Sequence, residues 1–425
     1  MRRAAILLTL LGTLLHAQPQ ANPVPTELVG KIFVTATWNV DGESDRPALA
    51  VDVKSGQLWI VHSGSVQIVD IGTGKVLEQI RGFQQARGVA FDDVGQFAYI
   101  PDWRGYGPGW GPSGNSKPEW EVKVIDRRGL QVAATIPINE APKGVVLDPE
   151  SGLLFVIPES PPEYDRNNQL IQPDSPLNVT SRSSPADAHK AFLERKSTLT
   201  VIDTEKQKVI GRAQITGRID SAESDKAGTL YVTVSDRNRL LTIDEALLLE
   251  MLKDAGEKDS MVDLTDRPTT DRPPGYPLSR FDLASACTAP GGLAVAGRIS
   301  RVFVECGNGE LAALDPANRK TVATFPIDPT TDSVAYDSER GLLYAASYNG
   351  RLAIVERHVA NDTYAAVMKL PIDSGARTLA LNPDTGQVYL VTDTTAPDWL
   401  DWESKMRYIT QGASSNGFRI LVVGN

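Results

Sequence analysis

Cysteine and histidine are both scarce in this chain. Two cysteines and four histidines in 425 residues are too few for a cysteine-rich zinc site or an iron–sulfur cluster. His16 falls within the first 17 residues, and His62, His189 and His358 share no recognisable spacing. No H-E-x-x-H, nucleophile elbow or Cys-His pair is present. A D-x-D-x-D-G calcium loop is also missing, and DPTTD from Asp328 is too short to replace one. The glycine-rich GYGPGWG from Gly105 does not join a strand to a helix, so it lacks the setting of a phosphate loop. These absences predict no metal and no cofactor. Beyond the N-terminus, no apolar run is long enough to cross a bilayer as a helix.

The N-terminus does carry a short apolar run. Arg2-Arg3 precede Ala4 to Leu15, followed by His16-Ala17. A basic head, a short apolar stretch and a small residue predict a signal peptide over residues 1–17, a linker over 18–30 and a secreted or periplasmic protein. Loss of the signal removes two of the 43 basic residues and leaves 41 against 53 acidic ones, a net −12. That balance disfavours nucleic acid and anionic membrane surfaces as bulk partners. Cys287 and Cys306 are an even pair in a chain expected to be exported, which predicts a disulfide.

What the chain has in abundance is one phrase, repeated seven times: apolar strand, Asp-centred turn, Gly, apolar strand. It reads ALAVDVKSGQLWIV from Ala48, GVAFDDVGQFAYI from Gly88 and GVVLDPESGLLFVI from Gly144. It returns as SAESDKAGTLYVTV from Ser221, GLAVAGRISRVFVE from Gly292, SVAYDSERGLLYAA from Ser333 and TLALNPDTGQVYLV from Thr378. Third strands such as VQIVD from Val66 and fourth strands such as KVLEQI from Lys75 follow in most copies. Four strands at a spacing near 40 residues, as from Asp52 to Asp92, predict an all-β, seven-bladed β-propeller of four-stranded antiparallel blades over residues 31–425. The seventh unit ends at FRILVV from Phe418 without a fourth strand. KIFVTATW from Lys31 belongs to no unit, so the N-terminal strand is predicted to close the last blade and remove an open edge.

Tyr231-Val232-Thr233-Val234 spells out the strand that names the YVTN-repeat family of bacterial β-propeller proteins, and VYLVTD from Val388 is a looser copy. The chain resembles that family over residues 48–423. The resemblance implies the fold; the family's functions are varied, including surface-layer and periplasmic binding proteins.

Insertions interrupt the repeat near residues 103–120, 158–196, 245–275 and 394–417. The first, second and fourth fall between strands two and three, which places them on one face over adjoining blades. PADAHKAFLERK within the second predicts a short helix capped by Ser184. EALLLEMLKDAGEK from Glu245, with Leu247, Leu248, Met251 and Leu252 on one stripe, predicts a helix on the opposite face that only packs on the ring. Trp103, Tyr106, Trp110, Trp120, Trp399, Trp402 and Tyr408 crowd two of the same-face insertions. Aromatic residues at that density in loops predict a recognition wall; compact loops with their own small cores are the structural alternative.

One aligned position, five residues before the turn acid, carries Pro47, Arg87, Lys143, Asp220, Gly291, Asp332 and Arg377. It opens the innermost strand, so these side chains should ring the channel mouth. Arg87, Lys143 and Arg377, with Arg46 beside them, predict a cationic arc beneath Trp103, Trp110, Trp399 and Trp402. Such a site suits a small anionic or carbohydrate-like ligand, or a protein partner. Two readings follow: an exported, non-catalytic binding propeller, or a lactonase- or lyase-like enzyme on the same face. Asp220 and Asp332 are the candidate acids for the second.

Overall fold

The computed structural model describes residues 31–425 apart from 43–46, 105–118, 160–162, 165–169, 172–193, 257–259, 266–273, 284–285, 359–360, 377 and 394–417. The expected signal peptide and linker, and nearly all of the short helix predicted after Ser184, lie outside those residues. Among the described residues the repeats become seven four-stranded antiparallel blades, with the first strand of each innermost and neighbouring first strands in contact around a ring. Blade one shows the pattern: Ala48–Asp52, Gln57–Val61, Ser65–Asp70 and Val76–Arg81. Blades two to six span residues 90–138, 142–216, 219–282, 290–326 and 331–371.

The burial of each strand explains its sequence. Second strands such as Leu153–Pro158 and Leu342–Ser347 are buried at every residue, because both faces of a blade's middle are covered by the adjoining blades. They therefore read as continuous apolar runs. The outer strand Lys208–Thr216 alternates over much of its length, because it lies nearer solvent. The core thus lies between blades. Val40, Ile60, Tyr389 and Ile420, for example, form one cluster across the junction of blades seven and one.

Closure follows the sequence expectation. Phe33–Val40 pairs antiparallel with Phe418–Gly424, from Phe33 opposite Gly424 to Val40 opposite Phe418. Blade seven is completed by Leu379–Leu381 and Val388–Asp393. Thr378 Oγ1 then ties it to blade one by donating to the Pro47 carbonyl at 2.9 Å.

The insertion after residue 244 does more than pack on the ring. Helix α1 (Glu245–Asp254) is capped by the Asp244 side chain, which accepts from the Leu247 amide, and it buries Leu248 and Leu252. The chain then runs as Met261–Asp263, parallel to the outer strand of blade three, with Val262 opposite Ala213. Blade three thereby gains a fifth strand, borrowed from blade four. The chain returns as Leu278–Asp282 to supply blade four's own fourth strand. Gly211 makes this crossing possible, since any side chain there would run into Leu252 and the Ser260 carbonyl.

Cys287 and Cys306 form a disulfide, with Cα atoms 5.1 Å apart. Both are fully buried. The bond ties the approach to blade five's inner strand to the end of its second strand. Constraining a loop of this length is worth about 3 kcal/mol on the chain-entropy argument.

Candidate functional site

The aligned position, expected to line the channel mouth, opens the inner strands at the end of each blade where strand two leads toward strand three, as where Pro142 pairs with Pro158. Lys143, in the inner strand of blade three, reaches across to blade four. Its Nζ donates to the Asp220 carbonyl oxygen at 2.7 Å and to Asp220 Oδ1 at 3.0 Å. Lys143 is therefore engaged by an acid, which departs from the expectation of an open cationic arc. The reason lies in the ring itself: blades three and four place opposite charges at adjacent positions, within reach of a lysine's length. Arg87 is half-buried, and its amide donates to the Pro101 carbonyl at 3.1 Å. Asp332 is exposed on blade six. Arg46, Arg377, Trp110, Trp399 and Trp402 lie outside the described residues.

Trp103 departs from its expected role. It is 4% exposed and belongs to the strand Phe97–Arg104, where it faces Trp120 across the ladder. The hairpin of blade two extends further than its sequence suggests, so this pair forms part of the insertion's rooted base. Buried Asp102 anchors that base. It accepts from Lys123 Nζ at 2.9 Å and from the amides of Gln84 and Gln85 at 3.0 and 2.8 Å. Lys123 Nζ also sits 4.5 Å from the centre of the Phe83 ring.

Two acids complete the mouth. Glu159 follows blade three's second strand. Burial raises its carboxyl above the ordinary value, while Lys143, Arg87 and Arg218 pull it back and Asp220 adds to the rise. Glu305 comes from blade five's second strand and is 7% exposed. It occupies the space left because Gly291 has no side chain; a Cβ at Gly291 would collide with Glu305 Oε2. The Gly292 amide donates to Oε2 at 3.3 Å. Burial, reinforced by the negative charges of Asp220 and Asp332, pushes the Glu305 carboxyl up to about 8. Cys306 is the next residue, so the disulfide fixes the end of the strand that presents this acid.

The sequence reading missed both Glu159 and Glu305. The signal for Glu305 was present in the repeats. At the same strand-two position the other blades carry Val61, Pro101, Ile157, Thr233, Ala346 and Val391. An ionisable residue there is an outlier, and it lies beside the glycine that breaks the charged ring.

Chemically, the mouth offers Arg87, Lys143 and Arg218 interleaved with Glu159, Asp220, Glu305 and Asp332. It can donate and accept hydrogen bonds in several directions, and at neutral pH it holds one carboxylic acid in its protonated form. The histidines lie elsewhere: buried His62 bonds Gln67 at 2.9 Å, with its ring 5.0 Å from that of Phe418, and His358 ends an outer-half strand of blade six. His189 is outside the described residues. Among the described residues no group of three or more His, Cys, Asp or Glu is placed to hold a metal ion, and no helix is long and apolar enough to cross a membrane.

Solved structures share the architecture. The β-propeller domain of Cps50 (Swd1) from Myceliophteria thermophila matches with a TM-score of 0.56 at 12% identity, over 93% of this chain and 99% of that one. The WD40 repeats of RRP9 match with a TM-score of 0.59 at 10% identity, over 93% of this chain and all of that one. At such identities the likeness bears on the fold alone. No protein-family profile and no curated protein matches the sequence.

Proposed function

We propose that this chain is an exported propeller of the YVTN-repeat type that binds a ligand at the insertion-face mouth of its channel without transforming it. The carrying observation is the convergence of charged groups from blades two to six on that mouth, read from the neighbours acting on Glu159 and Glu305. Cations interleaved with acids fit a polar, carbohydrate-like ligand, or a polar segment of a protein partner, better than a bare anion. A thermal-shift screen of sugars, lactones and polyanions against the purified protein is the direct test. A stabilising sugar whose effect is lost in an Arg87→Ala, Arg377→Ala variant of unchanged melting temperature supports the reading. Sugars that leave the melting temperature unmoved, or a variant that loses its own stability, would overturn it.

Glu305 favours a second reading, a lactonase- or lyase-like reaction with this residue as the proton donor and Asp220 or Asp332 as base. The fold prefers the protonated carboxyl. Its stability should therefore fall as pH rises from the ordinary value of 4.5 through about 8, and level off above that. Glu305→Gln mimics the protonated acid and should melt higher than the parent at pH 8 while matching it near pH 4. An enzyme would lose lactone turnover in this variant despite the gain in stability. A binding protein would show no turnover in either form, and equal melting at both pH values would refute the assignment of Glu305.

A further inference from the structure

The opposite face, where strands one and two of each blade turn, carries a separate cleft. It lies between the turns of blades two and three and has a volume of about 640 Å³, within the range typical of small-ligand sites. Phe91, Phe97 and Leu147 supply apolar wall, and Val94 on its rim is 88% exposed.

The charges around this wall are mostly of one sign. Asp92, Asp93, Glu150 and Glu205 line the cleft together with one cation, Lys226. Asp93 is already engaged by Arg127 at 2.8 Å and by Lys54 at 3.4 Å. Asp92 accepts from the amides of Val94 and Gly95, both at 2.9 Å. Glu150 and Glu205 are exposed and have no side-chain partner among the described residues. Behind the wall stands Glu245, whose burial pushes its carboxyl up to about 8, so that it adds little charge to the cleft near neutral pH. Ser151 lines the cleft and hydrogen-bonds Glu245 Oε2, and Glu245 is fully buried with its other oxygen, Oε1, unpartnered.

We propose that this turn-face cleft binds a cationic amphipathic group, a large apolar or aromatic side chain carrying or adjoining an ammonium or guanidinium, as in a basic-aromatic peptide. The apolar part would lie against Phe91, Phe97 and Leu147. The cation would meet the two unpaired carboxylates, Glu150 and Glu205. An apolar anion of the same size meets four carboxylates against the single lining cation Lys226, so charge complementarity selects the cationic occupant. The site is independent of the channel mouth and shares no residue with it.

Calorimetric titration with phenylalanyl-arginine amide, phenylalanyl-glutamate amide and glycyl-arginine amide tests the proposal on the full chain. Phenylalanyl-arginine amide should bind saturably, and the other two should bind at least about tenfold more weakly. Glu150→Lys with Glu205→Lys should abolish the binding, and the milder Glu150→Gln with Glu205→Gln should weaken it. Both pairs are exposed, so melting temperatures should hold and show that the variants are folded. Absence of saturable binding by phenylalanyl-arginine amide would overturn the proposal. So would equal binding of the glutamate peptide, or unchanged affinity in folded charge-altered variants.

Discussion

Deleting residues 18–40 should abolish the cooperative unfolding of the ring. The closing strand contributes Val40 and its neighbours Val34, Ala36 and Trp38 to cores at both flanks of blade seven, and Ile32 just before it is 5% exposed. At about 1.5–3 kcal/mol per large side chain fully buried, the loss is on the order of 5–8 kcal/mol. That is comparable with the whole stability of a typical domain. The truncated chain would also expose Phe418–Gly424 as an unpaired edge, the usual starting point for strand-to-strand association. Denaturant titration and light scattering read both effects. A truncated protein with the parent's midpoint, slope and monodispersity would contradict the closure described above.

Asp148→Ala should be much more damaging than the equivalent substitution at the turn acid of blade two. Asp148 is fully buried. Its Oδ1 accepts the amides of Glu150 and Ser151 at 2.8 and 2.9 Å within its own turn. Its Oδ2 accepts from Ser224 Oγ and, at 3.1 Å, from the Gly228 amide of blade four. Burial alone would raise the carboxyl, but these hydrogen bonds outweigh it and hold the group below its ordinary 3.8. Removing the acceptor strands four donors and should cost about 3–5 kcal/mol. The melting temperature should fall by roughly 5–10 °C. Asp92 occupies the same repeat position in blade two, but its carboxylate accepts only from its own turn; Asp92→Ala should cost about 1 kcal/mol. Because the Asp148 carboxyl is depressed, its contribution is complete above the unfolded value and is lost as pH falls through the folded one. The gap between parent and variant should therefore be full at neutral pH and narrow below pH 3.8. Equal melting of the two alanine variants at neutral pH would show that the bonds to blade four are dispensable.

Much of this architecture is legible in the sequence because a propeller repeats a local pattern. The turn acid, the glycine and the apolar run of strand two recur at one spacing, and the missing fourth strand in the last copy points to the N-terminus. Legibility fails where a neighbour in space decides the outcome. The Met261–Asp263 strand was hidden because a three-residue parallel pairing with blade three leaves no periodicity of its own. Blade four's fourth strand lay concealed behind a helix and a proline-rich stretch. Trp103 read as a loop residue because WRGYGPGWG is dominated by glycine, whereas the ladder with residues 119–126 carries the strand through Arg104.

The mouth follows the same division. The ring position itself could be aligned, so Lys143 and Asp220 were identified one blade at a time, but the bond between them belongs to no single repeat. Glu305 sits on a different strand and reaches the mouth only because Gly291 leaves room. Its importance comes from an absent side chain in one strand and an unusual one in the next.

The bond from Thr35 Oγ1 to the Val422 carbonyl joins residues 387 positions apart. A ribosome adds about 5–20 residues per second, so the first strand of this protein waits roughly 20–80 seconds for its partner to be made. Over that interval six blades can assemble in order, each against the one before, while the opening strand stays unmatched. The ring is thus completed by its own opening strand, and its final stability appears only once the last blade has been made.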